Sequence, residues 1–174
     1  MDIKKQLTLP ALFLSCGLLL PIAFHMFGMA GKIFLPMHIP VLMSGLLLGW
    51  RQGLCMGLFT PILSSILTGM PPLYPMAPIM AIELALYGAA GGYLYKNKHL
   101  SPLLAVLGAL VAGRLGVVIM LAIFASTLQI SMSPWIYVAM AAANGAPGII
   151  IQLLFLPPLV KKLEGYLNIS HLHM

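Results

Sequence analysis

Apolar runs of 17 to 29 residues, most of them closed by basic residues or by a Pro/Gly turn, recur from one end of the chain to the other. They cover residues 7–27, 33–50, 53–69, 76–95, 100–128 and 134–160. A helix crosses the hydrocarbon core with about 20 apolar residues, so the pattern predicts six transmembrane helices. The first run is interrupted by Pro10 and Pro21, and a glycine-bearing turn at 28–32 follows it. The second has Pro36 and Pro40 near its start and ends at Arg51 and Gln52. The Pro-rich loop MPPLYP, residues 70–75, opens the fourth run, and the basic connection KNKH, residues 96–99, closes it. The fifth run is long enough to tilt or to shed its end as a loop. The sixth stops at Lys161 and Lys162, leaving a weakly amphipathic, interfacial tail at 163–174. No internal repeat is evident.

Composition turns this pattern into a class. Hydrophobic residues make up 61% of the chain and charged ones 7%, against roughly 25% charged in soluble domains; the mean hydropathy is +1.03. The expected fold is an all-α integral membrane protein, one membrane domain over 1–174 with no soluble domain. The N-terminus, MDIKKQLTLPALFLSCGLLLPIAF, imitates a signal peptide. Its apolar run continues past the usual length and lacks a small-residue cleavage site before a polar sequence, so it reads as a retained first helix. With the N-terminus inside, Lys4, Lys5, Arg51, Lys96, Lys98, Lys161 and Lys162 share one side, Lys32 alone faces the other, and Arg114 lies within a span. That asymmetry places both termini in the cytoplasm of a multi-pass membrane protein; five or seven spans would scatter the charges. The net charge of +6 therefore reads as topology, not nucleic-acid binding. Cys16 and Cys55 fall inside predicted helices and read as small apolar residues rather than a disulfide or metal pair.

Candidate chemistry centres on Glu83, the only acidic residue within an apolar run. A carboxylate in hydrocarbon is costly, so such a group faces protein, water or ligand. At 1.5 Å per residue, Glu83 lies about two turns into its span. His38, Thr68, Arg114 and Asn144 fall between the outer end and the middle of theirs. A shared depth suits a solute pocket open to the outside. Glu83 and Arg114 are read either as a buried ion pair that fixes the helices or as ligand contacts, or both. His38, between two prolines, suits a bond to a freed carbonyl; Ser64 and Ser65 suit bonds within their own helix. Thr68 divides between that role and the pocket, and Asn144 between repairing the backbone at Pro147 and touching a ligand. Tyr74 sits at the outer mouth, and Tyr87 lies one turn from Glu83 on the same face. Trp135 and Tyr137 read as an outer aromatic belt, and Trp50 belongs to the inner interface. His25, Met26, His171 and His173 lack matched metal or haem spacing, so no metal or cofactor is expected.

Small residues form a second pattern. Ala11 and Ser15, one turn apart on the first span, suit a partner helix, whereas Gly88 to Gly92 suit packing inside the bundle. With these features in place, HIPVLMSGLLLGWRQGLCMGLFTPILSSILTG and the following MPPLYPMAPIMAIELALYGAAGGYLY resemble the substrate-binding S component of energy-coupling factor (ECF) transporters, vitamin importers of bacteria and archaea. The resemblance implies a six-helix fold with a solute pocket near the extracellular face, carrying His38, Thr68, Tyr74, Glu83, Arg114 and Asn144. It also implies docking on a transmembrane coupling subunit through an Ala-xxx-Ala-like motif on the first span. Ala11 and Ser15 match it, with serine as a departure. Two ATPase subunits complete the implied complex; this chain has no GxxxxGKS/T motif, so it is not expected to be an enzyme. Pantothenate, a pyridoxine- or hydroxymethylpyrimidine-like ring, or a corrinoid precursor fits the expected polar solute. The rival readings are a self-sufficient carrier or channel, and an intramembrane lipid-modifying enzyme. The second lacks paired carboxylates or an HExxH motif at the interface.

Overall fold

Backbone facing lipid must satisfy its own hydrogen bonds, which an α-helix does within one segment. The computed structural model describes residues 3–25, 35–124 and 133–167, and no strand occurs among them. Their helices are α1 (Ile3–His25), α2 (His38–Leu48), α3 (Trp50–Thr68), α4 (Met76–Gly92), α5 (Pro102–Phe124), α6 (Pro134–Asn144) and α7 (Ala146–Leu167). A π-helical turn, Tyr93–Asn97, extends α4. Among the described residues, three helical stretches are long and apolar enough to cross a membrane: Met76–Asn97, Pro102–Phe124 and Ala146–Tyr166. Thr8–Ala23 and His38–Leu48 are shorter apolar helices.

Two expected runs change form. The run at 134–160 is two helices that meet at Gly145, and the second continues to Leu167, into the stretch read as tail. Among the described residues of the run at 33–50, α2 takes up 11, about 16 Å at 1.5 Å per residue, and Trp50 already belongs to α3. Pro10 and Pro21 do not break α1, which passes through both. Lys32, Met26, His171 and His173 lie outside the described residues.

The reversal between α2 and α3 is a single residue, Gly49, at φ 99° and ψ 170°, a conformation essentially reserved for glycine. It folds α3 back so closely that a Cβ on Gly53 would sit 2.7 Å from the Gly45 Cα. Gly53 and Gly57 on α3 meet α4 in the same way: added Cβ atoms would overlap the Gly88 carbonyl and the Leu84–Ala85 backbone. A Cβ on Gly92 would come within 2.5 Å of the Trp50 amide nitrogen. Between lipid-solvated helices no hydrophobic driving force remains, and close backbone approach through small residues supplies the contact. Around this glycine seam lie Leu42, Leu46, Leu47, Tyr87, Val106, Ala109 and Leu156, all buried.

α1 lays its buried stripe, Leu9, Phe13, Gly17 and Pro21, against α2 and α3. Ala11 and Ser15 are exposed on its other side, and the Ser15 hydroxyl donates to the Ala11 carbonyl at 2.9 Å. At the far end of α4, Lys96 Nζ contacts Glu164 Oε1 of α7 at 2.7 Å, and the Tyr95 hydroxyl donates to Glu164 Oε2 at 2.6 Å.

Candidate functional site

A cavity of about 430 Å³ opens at the end of the bundle where α4 begins, within the range of small-molecule sites. Its lining combines an apolar shell with His38, Glu83, Arg114, Tyr137 and Asn144. Helix periodicity explains how they converge. On α4, Met76, Ile79, Met80 and Glu83 follow the i, i+3, i+4, i+7 spacing of one face, and on α6 so do Tyr137, Met140, Ala141 and Asn144. α5 contributes Arg114, α1 Pro21 and α2 His38. Leu35, Pro36 and Met37 before α2, with Met70, Pro71 and Pro72 after α3, complete the wall.

Glu83 and Arg114 form an ion pair, Oε1 to Nη1 at 2.6 Å, with 9% and 16% of their side chains exposed. The Tyr87 hydroxyl donates to the same Oε1 at 2.9 Å, so both contacts fall on one carboxylate oxygen. Tyr87 is fully buried and its ring fills the notch left by Gly113, where a Cβ would overlap it. Against Tyr87 leans the His38 ring, with centroids 5.3 Å apart and planes tilted by 59°. His38 is itself buried, and neither ring nitrogen has a hydrogen-bond partner among the described residues. The expected bond from His38 to a freed carbonyl is therefore absent among the described residues, and both ring nitrogens are covered.

Of the residues singled out from sequence, His38, Glu83, Arg114 and Asn144 line the cavity, while Thr68, Tyr74 and Tyr87 do not. Tyr87 supports Glu83 from behind. Thr68 is exposed and donates to the Ser64 carbonyl at 2.7 Å and the Met70 carbonyl at 3.1 Å, while the Met70 amide donates back to its Oγ1 at 3.2 Å. Ser64 donates to the Met70 carbonyl at 2.7 Å, a bond to the following loop rather than within its own helix. Together they pin Met70, a wall residue, to the end of α3. Tyr74 is exposed on the same loop. Sequence reasoning missed Tyr137, assigned to the outer belt, and the five lining methionines, Met37, Met70, Met76, Met80 and Met140. The signal for two of them was available: Met76 and Met80 lie seven and three residues before Glu83 on its own face.

Among the described residues no group of three or more potential metal-ligating side chains occurs. The arrangement can hold a small solute by a charged, hydrogen-bonding floor and soft apolar walls. Neither a curated protein nor a solved structure matches the chain. The family model described as "ECF transporter, substrate-specific component" matches residues 5–160. Covering nearly all of the helical core, that match means the chain belongs to the family of substrate-specific components of ECF transporters, and is a substrate-binding membrane subunit rather than an enzyme.

Proposed function

We propose that this subunit captures a small water-soluble vitamin or vitamin precursor at the cavity and delivers it by reorienting against a transmembrane coupling subunit, with two ATPase subunits supplying the energy. The observation that carries the reading is the Glu83–Arg114 pair at a cavity wall. A pair that only fixed helices would need no ligand-sized space beside it. His38, Glu83, Arg114 and Asn144 touch the solute, Tyr87 holds Glu83 in place, and Thr68 anchors the 70–75 loop that carries Tyr74 and closes over the site. Six spans with both termini in the cytoplasm put Arg51, Lys96, Lys98, Lys161 and Lys162 inside and the cavity outside. The cavity volume favours compact solutes such as pantothenate, pyridoxine or hydroxymethylpyrimidine over a corrinoid precursor, whose macrocycle is too large for it. The exposed Ala11 and Ser15 of α1 are the docking stripe for the coupling subunit.

Mass spectrometry of small molecules that co-purify with the chain, followed by calorimetry, tests this reading. A vitamin-class solute is expected to bind the wild type and to bind Glu83→Gln at least tenfold more weakly. Uptake by the purified chain alone in liposomes, without any ATPase, would instead establish a self-sufficient carrier.

A further inference from the structure

We infer that the solute is a planar ring without net charge, its polar edge held by His38, Glu83 and Arg114 and its faces by methionine side chains; this rests on the proposed solute-capturing role. Charge balance is the first argument. Among the described residues, Glu83 and Arg114 are the only Asp, Glu, Lys or Arg that line the cavity, and they already neutralise each other at 2.6 Å. In a low-dielectric site an anionic solute meets the Glu83 carboxylate and a cationic one meets the Arg114 guanidinium. Opening the pair to receive either strands its other half in the protein. A solute of no net charge avoids both penalties.

The free bonding capacity is the second argument. Both contacts to Glu83 fall on Oε1, which leaves Oε2 to accept from a ligand N–H or O–H. His38 lines the cavity, and among the described residues its two buried ring nitrogens have no partner. A neutral imidazole presents one donor and one acceptor, so it matches a ligand edge that also mixes the two. Heteroaromatic rings with amino, hydroxyl or hydroxymethyl substituents carry such edges.

The walls are the third. Met37, Met70, Met76, Met80 and Met140 surround the space, and among the described lining residues Tyr137 is the only Phe, Trp or Tyr. Thioethers make favourable contacts with aromatic rings and adapt to their outline. A flexible, branched solute such as pantothenate would use neither property and carries a carboxylate as well.

The test is a charge series on a constant ring, titrated by calorimetry into wild-type protein in detergent at neutral pH. One set is pyridoxine, its 4-carboxylate and pyridoxamine. The other is 4-amino-5-hydroxymethyl-2-methylpyrimidine with its 5-carboxylate and 5-aminomethyl analogues; pantothenate is the non-planar anion. In at least one set the uncharged member is expected to bind tenfold or more tighter than both charged members, and tighter than pantothenate. Tightest binding by a charged member or by pantothenate overturns the inference, and so does the absence of binding by every ring. In those cases a different solute identified by mass spectrometry would leave the capture role standing, whereas no solute of any kind would remove both. Glu83→Gln provides a second reading: with Arg114 left unpaired, preference should shift at least fivefold toward the carboxylate member.

Discussion

Glu83 is held from two sides, by the Arg114 guanidinium and by the Tyr87 hydroxyl, and each support has its own expected cost. Removing one partner of a buried ion pair leaves the other uncompensated, at about 3 kcal/mol. Glu83→Gln should therefore lower stability to denaturant in detergent by that order, and Glu83→Gln with Arg114→Met should be more stable than the single variant. A double variant no better than the single would mean that the pair contributes nothing. Tyr87→Phe removes only a hydrogen bond to a charged acceptor, about 2 kcal/mol; Gly113→Ala instead pushes a methyl into the Tyr87 ring. Both should weaken solute affinity in calorimetry, although Tyr87 and Gly113 do not line the cavity. At this scale the sequence was informative where a residue violated its surroundings. A carboxylate and a guanidinium in apolar runs announce themselves by their solvation cost, and both line the cavity. Methionine violates nothing in a membrane helix, so beyond Met76 and Met80, which share the face of Glu83, the methionine walls were legible only once the backbone brought Met37, Met70 and Met140 together. The position of Thr68 beside the loop is legible in the sequence, and its bonds there tie Met70 to α3.

The helices meet through absent side chains. Gly53, Gly57 and Gly88 let α3 and α4 approach until their backbones touch, and this contact fixes the second half of α4, directly after its cavity-lining stripe, against the bundle. Gly88→Leu is expected to abolish folding, since the side chain would have to displace the Gly53 backbone; a monodisperse, solute-binding variant in size-exclusion chromatography would contradict the arrangement. Gly49→Ala is a separate case. Nothing lies within 4 Å of an added Cβ there, so its penalty, about 1–3 kcal/mol, comes from the backbone conformation alone and should appear as lowered stability with unchanged solute affinity. The element boundaries were legible where a proline loop ended a run, as at 70–75; the expected end at Arg51 falls inside α3, two residues past the break at Gly49. They were not legible at Gly145, which looks like any other small residue in a small-residue stretch yet divides α6 from α7. The spacing of Gly53 and Gly57 in GLCMG was also readable in principle, but it names a partner face only once α4 is seen against it.

The molecule has two functional ends. At one, α4 contributes Met76 to Glu83 to the cavity; at the other, its π-helical turn presents Tyr95 and Lys96 to Glu164 of α7. The residues between Glu83 and Lys96 span about 20 Å of helix. α7 packs along α5 and α2 rather than along α4, so the Glu164 bonds are what fasten it to the α4 end. None of its residues lines the cavity, whose wall on that side is α6. Releasing the clasp should therefore loosen α7 without disturbing the site. Glu164→Ala is expected to speed amide hydrogen exchange near the end of α7 and to leave solute affinity within twofold of wild type. Because the pair is partly exposed, its coupling should be about 1 kcal/mol or less. Lys96→Ala should act in the same direction, and the double variant should lose less than the sum of the singles, as expected for residues that share one interaction. A tenfold loss of affinity in Glu164→Ala would instead show that the two ends move as one body, with the ionic clasp setting the shape of the cavity along the length of α4.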